Sequence, residues 1–558
     1  MTEPHAALRA AIAEAWPRAQ AHWSRFLLLS APELGEGLPS VAQIHLGTRQ
    51  VTLDAVELER HGLQGSLEAI LAHEVGHHVR YPGSLAVHAR MHMIERQLIP
   101  IEGYSLLNTF TDFLINAALG ESMSAELVAV YRAFAADNAR SWQRDPAFVF
   151  YLSAYEELWA LPPGHLMGPA RPAFEARFPR YRAEAQLLAQ NLVPLGPNLY
   201  TQLLYFLSIM AHYIVPDSDE PREDGDGFVC RGDEPSPEDW ADALFPDARE
   251  REAVRRALAE GWIQEADGER LVGEDAMERR IASLPGQSFG EAELVPEVMA
   301  AWYRREAERY LVRPPPQPTL GDSMVPTTLR DWEPGEPLNA VDWLATLVER
   351  GEQLGAAAPL ERIRIAEIEG YDVPMWQPRI EIYLDVSGSM PDPRRTRNAM
   401  TLASQILTLG AIRAGGWVRT LLYSHDYVRY WTWCRSELEI SRFLMHYIGG
   451  GTEFPFDVLE ASFVESGACQ PIRVIISDHD FVHNHAQAPE RQNIFRAAAA
   501  CGAPLVLLLH AVRLGVEAPF VQAGAQVIRI DEMEDFPKLA AELSRAFFGE
   551  GRGRGHGV

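Results

Sequence analysis

The sequence contains little cysteine and a single lysine. Its four cysteines, Cys230, Cys434, Cys469 and Cys501, are scattered along 558 residues and form no CxxC pair. This scatter excludes a disulfide framework and is typical of a protein from a reducing compartment. Apart from Lys538, the basic residues are arginines. We attribute that bias to codon usage in a GC-rich genome, since alanine, glycine and proline are abundant too.

Long apolar runs are also missing. The N-terminal segment holds no apolar signal core, and no later run approaches the roughly 18 apolar residues of a membrane span. We therefore expect a cytoplasmic protein that does not insert into a membrane. The chain also lacks a GxxxxGK(S/T) motif, so any ATP hydrolysis in its work has to come from another protein.

Positive charge is in deficit. With 77 acidic and 50 basic side chains, the formal net charge is -27. This sign disfavours binding to nucleic acid or acidic membranes, because phosphate groups would find no cationic surface. Hydrophobic residues make up 47% and charged residues 23% of the chain, as in ordinary globular proteins. The length allows about three domains.

The N-terminal part is predicted to combine helices with a short hairpin. Helical spacing covers three segments, at residues 5–28, 65–79 and 104–119. Alternation around Gly47 over residues 41–54 predicts two short strands. An acidic segment at 216–227 places Arg222 where a calcium loop needs a carboxylate, so we interpret it as a solvated loop.

The pattern changes after residue 378. Runs typical of buried strands, such as RIEIYLDV at 379–386, alternate with helical sequence in the rhythm of a doubly wound parallel sheet. The proline-rich VRPPPQPTL at 312–320 is a stiff linker. We predict a multidomain α/β chain with an N-terminal domain at 1–125, a mostly helical middle region at 126–311, a linker and connecting segment at 312–377, a Rossmann-like domain at 378–548 and a flexible tail at 549–558.

The sequence HEVGH at residues 73–77 is an HExxH motif within a predicted helix. At 3.6 residues per turn, His73 and His77 project from one face, one turn apart, so both imidazoles can bind one Zn²⁺. Glu74 lies beside them, where it can take a proton from a zinc-activated water. Because strand-like sequence precedes the helix, as in zincin folds, we predict a zincin-like, mainly helical zinc metallopeptidase domain that cleaves protein substrates.

The third zinc ligand is less well defined by the sequence. Asn108, Asp112 and Asn116 form a polar stripe with four-residue spacing on an otherwise apolar helix. A buried stripe of this kind needs partners, which a metal and its supporting hydrogen bonds would supply. We favour Asp112, with Glu102 as the alternative ligand and an exposed helix face as the interpretation without a metal.

The segments HEVGHH at 73–78 and LNTFTDFLIN at 107–116 resemble metallopeptidase domains that precede von Willebrand factor A (VWA)-like domains in bacteria. The similarity covers roughly residues 40–125. It implies that Asp112 is the third ligand, which spacing alone does not show. Proteins of this kind often accompany a MoxR-type AAA+ ATPase, so the resemblance also implies an ATP-driven partner.

A second set of residues resembles the metal-ion-dependent adhesion site of VWA domains. DVSGS at 385–389 ends the first strand of the C-terminal domain, GGGT at 449–452 forms a glycine-rich loop, and SD at 477–478 ends a later strand. The resemblance assigns five ligands: Asp385, Ser387, Ser389, Thr452 and Asp478. Hydroxyl and carboxylate oxygens suit Mg²⁺, or Mn²⁺ or Ca²⁺ in its place. In this family a carboxylate of a protein partner completes the metal's coordination.

Together these features predict a zinc metallopeptidase whose VWA domain recruits a partner or substrate through a Mg²⁺-bridged carboxylate, in cooperation with a separate ATPase. One alternative is a non-catalytic VWA adaptor with a structural or vestigial zinc site. Another is a chelatase-like subunit, because metal chelatases also pair AAA+ and VWA subunits. The intact Glu74 favours the peptidase, since zinc binding by two histidines does not require it.

Overall fold

The structure is a computed structural model. It describes residues 5–38, 40–101, 104–138, 145–214, 234–285, 294–311, 326–333, 336–351, 358–364, 377–467, 469–513 and 515–548. The acidic segment at 216–227, the proline-rich linker at 312–320 and the tail at 549–558 lie outside the described residues. The chain forms two compact units. One comprises Met1–Arg305 with Pro391–Asn398, and the other comprises Glu306–Met390 with Ala399–Val558.

The first unit contains a small three-stranded sheet. Its strands are β1 (Glu33–Gly35), β2 (Ala42–His45) and β3 (Gln50–Asp54), in the order β1-β3-β2. Strands β2 and β3 are antiparallel, which confirms the hairpin predicted from alternation, and β1 runs parallel to β3. Strand β2 therefore lies at an edge of this sheet.

Helices make up most of the rest of the first unit, and the last of them continues beyond Arg305 to Glu308. Their bounds are α1 Ala6–Trp23, α2 Ala55–Arg60, α3 Leu67–Val79, α4 Leu85–Leu98, α5 Leu107–Asn138, α6 Pro146–Leu158, α7 Arg171–Arg177, α8 Tyr181–Asn191, α9 Leu199–Met210, α10 Pro237–Ala243, α11 Ala248–Ala259, α12 Glu265–Val272, α13 Ala276–Ala282 and α14 Leu294–Glu308. Helix α5 is kinked at Met123, whose φ of -137° and ψ of 36° are not helical. Helix α3 packs against both α1 and α5.

One hydrophobic core extends through this unit from Leu8 to Leu271. It therefore includes residues from both the segment predicted as the peptidase domain and the predicted middle region. Helix α5 itself crosses the predicted boundary at residue 125 and contributes buried residues on both sides of it, among them Phe113 and Leu127. The finer domain boundaries remain predictions.

By length and composition alone, one helical stretch among the described residues is apolar enough to cross a membrane. It covers Leu107–Ala135 within α5 and has a mean hydropathy of 1.3. This stretch is not an uninterrupted apolar run, because Asn108, Asp112 and Asn116 interrupt it, and it was therefore not predicted from the sequence. Asp112 and Asn116 are buried within the unit, and buried core helices of soluble proteins share this length and composition.

The second unit begins with a two-stranded antiparallel sheet and a short helix. These are β4 (Pro326–Asp331), β5 (Leu360–Arg364) and α15 (Trp343–Arg350). A six-stranded sheet follows, with strands β6 Arg379–Asp385, β7 Trp417–Tyr423, β8 Tyr427–Cys434, β9 Ile472–Ser477, β10 Leu505–His510 and β11 Gln526–Ile530. The intervening and final helices are α16 Ala399–Arg413, α17 Glu437–Phe443, α18 Phe456–Ser466, α19 His479–Ala486, α20 Pro489–Ala499, α21 Ala518–Gln522 and α22 Phe536–Phe548.

The large sheet has the order β11-β10-β9-β6-β7-β8. All neighbouring strands are parallel except β8, which is antiparallel to β7. The predicted doubly wound α/β architecture is therefore present as a mixed sheet, consistent with a VWA-like domain. Strand β6 lies between β7 and β9, where the direction of winding changes. Open α/β sheets bind ligands in the crevice at the carboxyl ends of strands at such a point.

Candidate metal centres

Helix α3 places the two histidines of the HExxH motif on one buried face. His73 and His77 are fully buried, and their Nε2 atoms lie 3.2 Å apart. Asp112 on α5 is buried against them, with its Oδ1 3.3 Å from Nε2 of His73 and 3.1 Å from Nε2 of His77. Three atoms capable of binding a metal, contributed by two helices, thus form a nearly equilateral triangle.

Hydrogen bonds to the imidazoles leave both Nε2 lone pairs facing this triangle. Nδ1 of His77 donates to the carbonyl oxygen of Tyr81 at 3.0 Å, and Nδ1 of His73 donates to Oδ1 of Asn116 at 2.8 Å. A neutral imidazole carries one proton, and these acceptors assign that proton to Nδ1. The triangle then consists of three lone-pair donors, which repel one another unless a cation lies among them. Histidine ligands of zinc are commonly fixed in this way.

The triangle also has the size of a zinc centre. Bonds of about 2.0–2.1 Å at tetrahedral angles place neighbouring ligands roughly 3.3 Å apart. The observed separations are 3.1, 3.2 and 3.3 Å. Two imidazoles and one carboxylate are a ligand set that Zn²⁺ accepts, and three protein ligands leave one coordination position for water or substrate. The residues therefore fit the metal.

Asp112 is the member of the polar stripe that reaches the triangle. Asn108, one turn earlier, donates to Oδ2 of Asp112 at 3.4 Å, whereas Asn116, one turn later, binds the imidazole of His73. Burial raises the pKa of Asp112, but the two neighbouring histidines outweigh burial and hold that pKa below its usual value. Glu102, the alternative ligand, lies outside the described residues.

Glu74 is fully buried beside the triangle. Neither of its carboxylate oxygens has a well-aligned hydrogen-bond partner among the described residues, although the backbone of Ile44 lies close enough to lower its pKa. Burial raises the pKa of Glu74 to about 8, His77 lowers it and Asp112 raises it. Glu74 does not belong to the group whose ligand atoms all lie within 4.8 Å of one another. Its carboxylate is therefore better suited to exchange a proton with a molecule at the open position than to bind the metal.

A cluster of buried tyrosines, which the sequence analysis missed, supports Asn116. Nδ2 of Asn116 donates to the hydroxyls of Tyr131 at 2.8 Å and Tyr155 at 2.7 Å. The hydroxyl of Tyr151 lies 2.5 Å from that of Tyr155. These bonds orient the amide so that its oxygen faces His73. The tyrosines come from α5 and α6, and no spacing rule in the sequence connects them to the HExxH motif.

The residues predicted for the adhesion site meet at the carboxyl ends of β6 and β9. Oγ of Ser387 lies 3.1 Å from Oγ of Ser389, which donates to Oδ2 of Asp478 at 3.2 Å. Oδ1 of Asp385 accepts from the amide of Ser387 at 3.0 Å. Four of the five predicted ligands are thus joined by direct contacts, and all of them offer oxygen. This set could hold Mg²⁺ or a similar hard cation.

Thr452, the fifth predicted ligand, follows a glycine loop that contacts the DVSGS turn. The amide of Gly388 donates to the carbonyl oxygen of Gly450 at 2.8 Å. Gly450 has a φ of +86°, and a Cβ there would lie 2.5 Å from Nδ1 of His425. Only glycine fits this position without strain. The loop therefore carries the partly exposed Thr452 close to the turn that bears the two serines.

Three further polar residues at this edge were missing from the sequence prediction. Oγ of Ser477 donates to Oδ2 of Asp385 at 2.6 Å. His479 and Asp480 join Asp478 in a second group of ligand atoms that lie within 4.8 Å of one another. Burial raises the pKa of Asp385 to about 6, although hydrogen bonds from Ser477 and Ser387 lower it. The segment SDHD at 477–480 gave a signal for all three, since it begins on the last residue of the buried strand β9.

Comparison with known proteins found no matching family model and no matching curated protein. Among solved structures, 26 chains match. One is an aerotolerance-related membrane protein from Bacteroides fragilis NCTC 9343 with multiple mutations to serines, at 14% identity and a TM-score of 0.23, covering 30% of this chain and 99% of that chain.

A second solved structure is the conserved hypothetical protein BatB from Bacteroides thetaiotaomicron. It matches at 14% identity with a TM-score of 0.24, covering 31% of this chain and 98% of that chain. Both TM-scores are low, so neither likeness carries an argument about the function of this chain. The function proposed for this chain therefore rests on the geometry of its two candidate centres.

Proposed function

We propose that this chain is a zinc-dependent peptidase whose VWA-like domain recruits a partner or substrate. The observation that carries the proposal is the buried triangle of His73, His77 and Asp112, with the unpaired carboxylate of Glu74 beside it. Its ligand types, its dimensions and the adjacent carboxylate match what metal-assisted hydrolysis of a peptide bond requires.

In this proposal each residue has one role. Zinc held by His73, His77 and Asp112 would supply Lewis acidity toward water and the scissile carbonyl. Glu74 accepts the proton of the attacking water and then gives it to the leaving amine. A positive charge in the triangle favours the ionised form of Glu74, which offsets the effect of burial on its pKa. Asn116 keeps the imidazole of His73 in the orientation that a metal ligand needs.

Strand β2 is suited to hold the substrate. It is an edge strand, and its Ile44 backbone lies near enough to Glu74 to lower the pKa of that carboxyl. An extended peptide can pair with an exposed strand edge through backbone hydrogen bonds. Such pairing would lay the substrate backbone alongside Glu74.

The second centre supports a recruiting role. The five predicted ligands at the carboxyl ends of β6 and β9 all offer oxygen and can hold Mg²⁺, and a carboxylate of a protein partner would complete the coordination. A MoxR-type AAA+ ATPase remains our expectation for a partner that delivers or remodels substrates. We keep the cytoplasm as the expected compartment.

One observation favours a different function. All three members of the triangle and Glu74 are almost fully buried, with at most 1% of each side chain exposed. A zinc ion enclosed in this way could be structural, and the protein would then act as a non-catalytic adaptor through its second centre. Peptidase activity requires that a covering segment moves when substrate binds.

The variant Glu74→Gln separates the two functions. It keeps the size of the side chain but removes the proton acceptor. We expect unchanged zinc content by mass spectrometry and a loss of about 10²- to 10⁴-fold in cleavage of an unfolded, fluorescently labelled protein. Glu68→Gln is the matched control, because Glu68 lies on the same helix but pairs with Arg18 at the surface. Equal cleavage by wild type and Glu74→Gln would contradict the peptidase and favour the adaptor.

A further inference from the structure

A cavity of about 360 Å³ opens at the end of the HExxH helix. It is lined by Arg80 and Tyr81, which directly follow α3, by Val87 on α4 and by residues from 193 to 202 and Arg249. Tyr81 connects this cavity to the candidate zinc centre, since its carbonyl oxygen accepts the hydrogen bond from Nδ1 of His77 at 3.0 Å. The volume is within the range of small-ligand pockets.

The walls of the cavity combine apolar and polar residues. Tyr81, Pro82, Val87, Val193 and Leu199 contribute side chains to it. Tyr200 and Gln202 are buried polar residues of the lining, 3% exposed in each case. Burial raises the pKa of Tyr200 to about 12, so its hydroxyl stays protonated at neutral pH and can donate a hydrogen bond.

Two exposed arginines, Arg80 and Arg249, belong to the lining of this cavity. In the part of the chain that the structure describes, neither Arg80 nor Arg249 forms an ion pair, and each lies over an aromatic ring instead. The guanidinium carbon of Arg80 is 5.5 Å from the ring centre of Tyr81, and that of Arg249 is 5.5 Å from the ring centre of Tyr200. The chain has a net charge of -27. Two cations without ion-pair partners in the lining of one cavity would therefore favour an anionic ligand there.

The carboxylates nearest to Arg249 are engaged elsewhere. Asp247 accepts the amide of Glu250 at 2.8 Å and caps α11. Glu250 is buried and forms ion pairs with Arg90 and Arg280. Both carboxylates raise the pKa of Tyr200 in the lining, so they offset part of the positive charge there. Among the described residues, however, neither forms an ion pair with Arg80 or Arg249, and these two guanidinium groups can still pair with the carboxylate of a ligand.

From this arrangement we infer that the cavity is a subsite for a carboxylate carried next to an apolar side chain, which Arg80 and Arg249 bind. The inference rests on the proposed peptidase function and names its substrate class. The carboxylate can be the free C-terminus of a peptide or the side chain of an Asp or Glu residue. Arginine suits both, because its planar fork matches a carboxylate with two parallel hydrogen bonds.

Binding to the zinc-loaded Glu74→Gln variant tests the subsite without turnover. The probes are three labelled pentapeptides of one sequence ending in leucine. One has a free C-terminus, one has a C-terminal amide, and one has the amide and a glutamate before the leucine. We expect the free acid, the glutamate peptide or both to bind about ten- to hundredfold more tightly than the plain amide in fluorescence anisotropy. The comparison of the two charged peptides identifies the source of the carboxylate.

The variant Arg80→Gln/Arg249→Gln, made in the same background, should abolish this preference. Arg177→Gln is the matched control, because Arg177 also lies over a neighbouring ring, that of Phe178 at 5.1 Å, but outside the cavity. Thermal melting checks that each variant is folded. Equal binding of all three peptides, or a preference that survives the double substitution, would overturn the subsite. Because binding is measured without cleavage, an inactive Glu74 centre would leave this result unaffected.

Discussion

Asn108, Asp112 and Asn116 have the same spacing on α5 but contact different groups. Asn108 donates to Oδ2 of Asp112. The other oxygen of Asp112, Oδ1, faces the Nε2 atoms of His73 and His77. Asn116 binds His73 through its oxygen and the tyrosine cluster through its nitrogen. A carboxylate is needed only in the middle position, because only there does the side chain complete a site for a cation. In the structure, the stripe thus carries one residue that could bind a metal and two that support its neighbours.

We predict that Asp112→Ala lowers zinc affinity by at least about a hundredfold, since it removes one of three ligands. Asn108→Ala is the control, because it removes only a weak hydrogen bond to the other oxygen of Asp112. Loss of such a supporting contact should weaken zinc binding by no more than about tenfold. Competition with a chromogenic chelator measures both affinities. Similar affinities for the two variants would show that Asp112 is not a ligand.

At the scale of single residues, a short sequence motif was enough to predict which side chains the structure brings together. His73, Glu74 and His77 follow from helical spacing alone, and Asp112 was chosen because it is the only carboxylate of its stripe. The tyrosines behind Asn116 could not be predicted in this way. Their contact depends on how α5 and α6 pack, and such long-range packing leaves no local pattern in the sequence.

Helix α3 is held at a close crossing with its neighbours, and Gly76 lies at that crossing within the HExxH motif. A Cβ at Gly76 would lie 2.6 Å from Cζ2 of Trp23 and 2.9 Å from Cγ2 of Ile115. Trp23 cannot easily move away, because its Nε1 donates to the carbonyl oxygen of Ala72 at 2.6 Å. The glycine therefore allows α3 to approach α1 and α5 closely enough to form the triangle.

We predict that Gly76→Ala destabilises the protein despite the higher helix propensity of alanine. Overpacking typically costs about 1–3 kcal/mol, against a gain of up to about 1 kcal/mol from propensity. Zinc affinity should fall as well, because α3 has to shift away from Asp112. Gly65→Ala is the control, since a Cβ at Gly65 meets no atom within 4 Å. Differential scanning calorimetry and zinc titration measure the two effects, and an unchanged zinc affinity would contradict this account of the crossing.

Helices and strands were predictable where one pattern of apolar residues dominates the segment. The strands β6, β7, β9 and β10 are apolar-rich and buried along almost their whole length, as expected for parallel strands covered on both faces. Strand β11 lies at the sheet edge and is largely exposed or partly exposed, but its apolar residues still indicated a strand. Strand β8 was missed, because it is an edge strand whose side chains are mostly partly or fully exposed. Helix α4 was missed as well, because His88, His92 and several charged residues obscure its apolar face.

At the scale of the whole molecule, the described residues of each unit contain one candidate metal centre, and the two centres differ in ligand chemistry. The first offers two nitrogens and one carboxylate oxygen, which suits Zn²⁺. The five predicted ligands of the second offer only oxygen, which suits Mg²⁺ or Mn²⁺, although the imidazole of His479 lies near Asp478. The ions should therefore be separable by mutation. A role in which one ion cleaves and the other recruits requires such independence.

We predict that Asp385→Ala lowers Mn²⁺ affinity by at least about tenfold, because it removes a charged residue of the oxygen set, while zinc content stays near one ion per chain. His77→Ala should do the opposite and lose zinc while keeping Mn²⁺ binding. Electron paramagnetic resonance of free Mn²⁺ and mass spectrometry measure the two ions in the same sample. Asp426→Ala is the control, since Asp426 is exposed and follows the neighbouring strand β7. If Asp385→Ala binds Mn²⁺ as tightly as Asp426→Ala, the oxygen set does not hold the cation, and recruitment through a metal-bridged carboxylate has no physical basis.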